Sequence, residues 1–124
     1  MKTLIIKGEL TDLNTYIKAL NGNRWSGNSI KQTETERVAY EARLARLCAV
    51  QEYPVKITYR WYCPDQRKDT DNVAFAKKFI NDGLVQAGIL ENDSRKFVSG
   101  FADEFYIDKA NPRVEVEICT ACPQ

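Results

Sequence analysis

Long apolar runs are missing from this chain. No stretch approaches the roughly 18 consecutive apolar residues of a membrane span. The opening Met1-Lys2-Thr3-Leu4-Ile5-Ile6-Lys7 is too short and too soon polar for a signal peptide. These absences predict a cytoplasmic protein with no membrane partner. An excess of charge of one sign is missing too. The net charge of +1 gives no global attraction to nucleic acid, so any DNA affinity has to come from clustered basic residues, which concentrate between Lys18 and Lys96. Histidine is absent altogether, which leaves oxygen and thiolate ligands for any metal. A second Cys-x-x-Cys is lacking as well. Cys119 and Cys122 have metal-knuckle spacing, but a zinc site would need Cys48 and Cys63 to join from a predicted helix and a strand end. The favoured reading is four reduced thiols, with Cys48 a small core residue. Repeats, linkers and low-complexity segments are absent. The 124 residues make a single domain, 1–124, long enough for a real core.

What is present alternates between strand and helix patterns. Lys2 to Lys7 reads as a first strand. Gly8 to Gly27 is a long irregular stretch with a few helical turns from Asp12 to Leu20. From about Asn28 to Gln51 the pattern is helical, with Val38, Ala42, Ala45 and Ala49 on a small-residue stripe widened by Leu44, Leu47 and Cys48. Val55 to Cys63 alternates, with Val55, Ile57, Tyr59 and Trp61 on one face. A second helix starts at Asp71 or Asn72 as N-cap, carries the stripe Val73, Ala76, Ile80, Leu84 and Ala87, and stops at Gly88. Phe97 to Ile107 and Val114 to Ile118 complete the strands. The fold class predicted is α+β, a mixed sheet of about four strands with two main helices.

The most informative segment is Arg67-Lys68-Asp69-Thr70-Asp71-Asn72, answered about twenty residues later by Asn92-Asp93. In extended chain Asp69 and Asp71 point to one side, roughly 7 Å apart, so both can approach one cation. Three oxygen donors suit a hard divalent ion such as Mg²⁺. The basic residues Arg67, Lys68, Arg95 and Lys96 beside them suit phosphate. The blander alternative is a helix cap at Asp71 or Asn72 and a turn at Asp69. On one continuous helix Asp71, Lys78 and Asp82 fall within about 40° of each other, which aims Lys78 to the same side as Asp71, with Asp82 able to orient it. Phe75 and Phe79 lie off the apolar stripe. They are either a surface for a partner or for bases, or they are covered by the segment Gly8 to Gly27.

The order Arg67-Lys68-Asp69-Thr70-Asp71-Asn72, Lys78, Asp82-Gly83-Leu84, Ala87-Gly88 and Asn92-Asp93-Ser94 resembles the RusA family of Holliday junction resolvases. That family shows a basic run, then D-L-D-N, a lysine, D-A-L, A-G and D-D. Gly8 to Tyr16 is similar to the N-terminal part of phage and prophage members. The resemblance implies a homodimeric, Mg²⁺-dependent endodeoxyribonuclease acting on four-way junctions. It implies Asp69, Asp71 and Asp93 as metal-binding and catalytic aspartates, Lys78 as the catalytic lysine, and Lys68 as the basic residue before the first aspartate. Two departures stand out. The segment from Asp71 to Lys78 is about three residues longer than in the family's type member, nearly one helical turn, which makes Lys77 a competitor. Asn92 replaces the first aspartate of D-D, which bears on any second metal site.

Geometry adds an expectation about assembly. A straight helix of about 16 residues is roughly 24 Å long, and the residues from Ile89 to Asp93 span at most about 17 Å. Asp93 is then expected to meet Asp69 and Asp71 of a second copy, through antiparallel pairing of this helix that also buries Phe75 and Phe79. Two other classes of function stand beside the nuclease: a non-catalytic dimer that binds four-way or other branched DNA, and a small zinc-stabilised module.

Overall fold

The structure, a computed structural model, describes residues 2–120. The chain runs β1 (Lys2–Lys7), α1 (Leu13–Gly22), α2 (Arg24–Leu44), β2 (Val55–Cys63), α3 (Thr70–Ala74), α4 (Lys77–Gln86), β3 (Val98–Ile107) and β4 (Arg113–Thr120). The strands form one sheet in the order β1-β4-β2-β3. β4 is antiparallel to both β1 and β2, whereas β2 and β3 are parallel. The expected mixed four-stranded α+β fold is therefore present. A parallel pair needs a crossover, and α3 with α4 supplies it.

Alternation sets the two faces of the sheet. Val55, Ile57, Tyr59 and Trp61 of β2, with Leu4 and Ile6 of β1 and Val114, Val116 and Ile118 of β4, pack into one core with Val38 and Ala42 of α2 and Phe79, Ile80 and Leu84 of α4. The opposite face is polar. Arg60 there bridges Glu104 at 3.1 Å and Glu117 at 3.3 Å, and the Arg113 guanidinium lies 3.7 Å from the Tyr62 ring centre.

The helices differ from expectation in ways that have local causes. The few helical turns expected from Asp12 to Leu20 are a full helix, α1, and α2 begins directly after it at Arg24. Asp12 caps α1 by accepting the Thr15 N–H at 2.8 Å. Asn23 then ends α1 and starts α2 at once: it sits in extended backbone, and its side chain accepts the Ser26 N–H at 2.9 Å. α2 stops at Leu44, well before Gln51. Arg46 adopts φ 54°, and the bonds Arg46 N–H to Arg43 O and Leu47 N–H to Ala42 O close a Schellman motif. Glycine usually fills that position, so the sequence carries no stop signal. Cys48 consequently lies exposed past the helix rather than in the core.

The second predicted helix is broken. Ala76 N–H bonds Val73 O, Lys78 N–H bonds Phe75 O and Phe79 N–H bonds Ala76 O, a tight 3₁₀-like turn between α3 and α4. Neither Asp71 nor Asn72 is the cap. Asp69 holds the N-cap position, and buried Asn72 instead accepts the Asn14 N–H at 2.8 Å, tying α3 to the start of α1.

Tyr16 of α1 decides the fate of the two phenylalanines. It stacks on Phe75 at 5.4 Å and meets Phe79 edge-on at 5.7 Å, leaving Phe79 1% exposed. α2 in turn approaches α4 so closely that an added Cβ at Gly83 would meet Val38. Phe79, expected to serve a helix pairing between two copies, is thus buried within one chain, and Phe75 is partly covered.

Candidate metal and phosphate site

In a parallel β-α-β unit, ligands gather where the strands deliver their carboxyl ends. β2 and β3 deliver theirs to one side. An open hollow of about 750 Å³ lies there, lined by the loop Asp65 to Thr70, by Asp71 and Val73, and by Phe105 to Ile107 of β3. Asp69 and Asp71 both border it. An adjoining hollow of about 540 Å³ is lined by Asp71, Lys77, Asp103 and Phe105 among others.

The hydrogen bonding of the aspartates separates them into two groups. Asp12, Asp65, Asp82, Asp103 and Asp108 each bind a lysine or arginine of the chain. Among the described residues, Asp69, Asp71 and Asp93 bind none, and their carboxylates accept no hydrogen bond. Asp69 is the telling case. It occupies a helix N-cap position, where an aspartate normally accepts a backbone N–H, yet its side chain makes no capping bond. Its carboxylate is left for something else. The chemistry of this donor set fits a hard divalent cation.

The three carboxylates do not form one cluster. No group of three metal-ligating side chains comes together among the described residues. Asp93 lies in a different hollow, with Asp82 and Gln86 of α4 and Lys31 and Gln32 of α2. Gly88, at φ 79°, turns the chain there, and both Ile89 N–H and Leu90 N–H return to Leu84 O. The loop thus folds back along α4, and the premise that Asp93 stays beyond the helix end does not hold. Its charge is felt at the Tyr59 hydroxyl, whose pKa is raised by burial first and then by Asp103 and Asp93, against the lowering effect of its bond to Asn81. Asn92, exposed, accepts the Ser94 N–H at 3.0 Å and so shapes the turn that presents Asp93.

The basic residues are deployed unequally. Lys68 pairs with Asp12 at 2.9 Å, with Glu9 further off at 3.9 Å. The bond to Asp12 raises its pKa, chiefly, against the lowering effect of burial. Burial pushes the Asp12 carboxyl up, but the bonds from Lys68 and Thr15 outweigh it and hold it below the ordinary range. This pair anchors the loop before Asp69 to the cap of α1. Arg67 is almost fully exposed, and Arg95 and Lys96 are exposed beside Asp93. Lys78 pairs with Asp82 at 3.2 Å, as its spacing suggested. The break in the helix, however, aims Lys77, not Lys78, into the hollow bordered by Asp71.

Asp103, which the sequence did not single out, lines the same hollow as Lys77 and Asp71. The available signal was an aspartate between Phe101 and Phe105 on one face of a strand. Asp103 accepts Trp61 Nε1–H at 2.9 Å and pairs with Lys77 at 2.5 Å. Cys63 lies at the hollow's edge, Cys48 is exposed and Cys119 contacts Glu117, so these three thiols do not converge; Cys122 lies outside the described residues.

The family model for endodeoxyribonuclease RusA matches residues 11–119. The chain belongs to the RusA family. No curated relative matches it significantly. RusA proteins are nucleases that resolve Holliday junctions and are generally dependent on a divalent metal. The matched span contains the whole Asp69–Asp93 region and both hollows. One RusA-pattern residue is altered in a way the packing explains: Gly83 stands where the family motif carries alanine, and Val38 and the Thr35 carbonyl of α2 occupy the space a Cβ would need. Among the described residues no helix is long and apolar enough to cross a membrane.

Proposed function

We propose that this RusA protein is a Mg²⁺-dependent endodeoxyribonuclease that cuts four-way DNA junctions, and other branched DNA of similar shape, as a cytoplasmic homodimer. The observation that carries the reading is the set of uncommitted carboxylates: among the described residues those of Asp69, Asp71 and Asp93 have no side-chain partner, and two of them border one open hollow. Asp69 and Asp71 would hold the metal; Asp93, which the resemblance implies as a third ligand, borders a separate hollow of the same chain. When bound, Mg²⁺ supplies Lewis-acid polarisation of the phosphate and offsets the charge that builds during cleavage. Arg67, Arg95 and Lys96, being exposed, position backbone phosphates on either side. Lys68 contributes differently, by holding the Asp69 loop against Asp12. Replacing Asp71 with asparagine tests the ligand assignment. Cleavage should be lost while junction binding persists, because a metal ligand is removed rather than a phosphate contact. Full activity in Asp71→Asn would overturn it.

Two symmetric cuts need two sites, and we place the second copy on β3. That strand is an edge of the sheet, with an unpaired side. Phe101, Phe105 and Ile107 are exposed on it, 50%, 38% and 56% respectively, and the last two border the Asp69–Asp71 hollow. Ile107→Glu should yield a folded monomer by analytical ultracentrifugation that no longer makes paired cuts. A dimer that survives this change would refute the placement.

The departure at Asn92 gives the non-catalytic reading its one specific support. Asn92 serves its turn through the bond to Ser94, however, so the loop does not need an aspartate there to present Asp93. A protein that binds junctions but never cuts them would favour that second reading.

A further inference from the structure

We propose that Asp103 is a positioning residue for DNA cleavage, holding Lys77 as the lysine that serves the Asp71 side of the site. The inference rests on the nuclease reading and deepens it. Both oxygens of Asp103 are engaged. One accepts the Trp61 indole N–H at 2.9 Å, and the other binds the Lys77 ammonium at 2.5 Å. Trp61 is itself held in the core. It is 2% exposed, and its ring stacks on Tyr59 at 5.8 Å. Tyr59 is fixed in turn by donating to Asn81 of α4. The carboxylate of Asp103 therefore has a rigid foundation in the core, although it projects from an exposed edge strand.

Lys77 gains a defined position from this arrangement. Its ammonium lies 5.4 Å from the Tyr59 ring centre and 5.1 Å from that of Phe101, both within cation–π range. Its side chain is 22% exposed, against 55% for Lys78. An ammonium has three donors, so one bond to Asp103 leaves others for a phosphate oxygen in the hollow that Lys77 shares with Asp71. Among the described residues Lys78 has only Asp82, four residues away on the same helix. Such exposed pairs fix a side chain weakly. A lysine that stabilises charge at a scissile phosphate is effective when it is held in place beforehand, and Lys77 meets that requirement.

Kinetics of junction cleavage combined with ¹⁵N NMR of the lysine amines test this. Asp103→Asn keeps an acceptor for Trp61 but removes the charge that holds Lys77. It should lower kcat on the order of 10- to 100-fold with little change in KM, as displacement of a catalytic group does. Lys77→Met should cost on the order of 100- to 1,000-fold, and more than Lys78→Met. The double variant Asp103→Asn/Lys77→Met should be no slower than Lys77→Met alone, since Asp103 acts through Lys77. In the unaltered protein the Lys77 amine should give an ordered signal, distinct from that of Lys68 on Asp12, and that signal should disappear in Asp103→Asn and in Lys77→Met. Losses that multiply in the double variant, or a larger loss at Lys78, would overturn the proposal. An ordered Lys77 in a protein that cuts nothing would mean that the nuclease reading has failed and Asp103 holds Lys77 for some other purpose. Cleavage with a disordered Lys77 would mean that the nuclease reading stands and the clamp does not.

Discussion

Replacing Gly83 by alanine should destabilise the protein, even though the substitution restores the residue of the family motif and favours the helix. A Cβ at Gly83 would lie 2.5 Å and 2.6 Å from side-chain carbons of Val38 and 2.9 Å from the Thr35 carbonyl oxygen. Carbon atoms pack comfortably at about 3.5–4.0 Å, so something must move by about an ångström. The nearest groups yield poorly. Val38 is fully buried and, being β-branched, stiff in its side-chain torsion; the Thr35 oxygen belongs to the α2 backbone. Helix propensity returns about 1 kcal/mol for glycine to alanine, while forced overpacking costs about 1–3 kcal/mol. With backbone among the clashing atoms the upper half of that range applies, for a net loss of about 1–2 kcal/mol and a Tm lower by roughly 4–8 °C. Gly22 supplies an internal control. It lies in α1 with nothing within 4 Å of an added Cβ, so Gly22→Ala should hold or slightly raise Tm. Differential scanning calorimetry of the two variants decides the matter. If Gly83→Ala is as stable as Gly22→Ala, the close approach of α2 and α4 is wrong.

Three further outcomes follow from the same geometry. Tyr16→Ala should cost about 2–4 kcal/mol in urea unfolding, by removing the ring that covers Phe75 and Phe79; an effect under about 0.5 kcal/mol, the range of a surface change, would put α1 elsewhere. The Asp12–Lys68 pair should make stability depend on pH at both extremes. Asp12, depressed on folding from its ordinary 3.8, contributes stability above that value and loses it as pH falls through the folded pKa. Lys68, raised from its ordinary 10.5, contributes below that value and loses it as pH rises through the folded pKa. Lys68→Met should flatten the acid limb of a Tm-against-pH curve, and an unchanged limb would refute the pairing. Junction affinity should fall steeply between about 50 and about 200 mM salt, because exposed arginines and lysines displace counterions from phosphates; a flat response would argue against a backbone-tracking surface.

Patterns with a strict period were legible in the sequence, and features decided by tertiary contact were not. The alternation Val55, Ile57, Tyr59, Trp61 located β2 with its buried face, and it positioned the loop that follows, hence Asp69 and Asp71. The end of α2 was not legible, because its left-handed stop is an arginine, Arg46, held by hydrogen bonds rather than chosen for glycine's freedom. Nor was the break at Phe75 and Ala76: no proline or glycine marks it, and the fit of Phe75 and Phe79 under Tyr16 accompanies it. That break is what exchanged Lys78 for Lys77 at the hollow, since a sequence argument that counts 100° per residue assumes an uninterrupted helix. Asp103 escaped notice for a related reason. Its partners Trp61 and Lys77 are distant in sequence: the parallel pairing of β2 with β3 brings Trp61 to it, and the packing of α4 brings Lys77.

The central claim is that this chain cuts branched DNA with a divalent metal held by its uncommitted aspartates. The most direct measurement incubates the purified protein with a synthetic four-way junction, end-labelled on each strand in turn, with and without Mg²⁺, alongside Asp71→Asn. The account predicts paired nicks on opposing strands that require Mg²⁺ and vanish in the variant, while gel-shift binding remains in both. Binding by the unaltered protein without cleavage at any Mg²⁺ concentration, or cleavage that persists in Asp71→Asn, would contradict it.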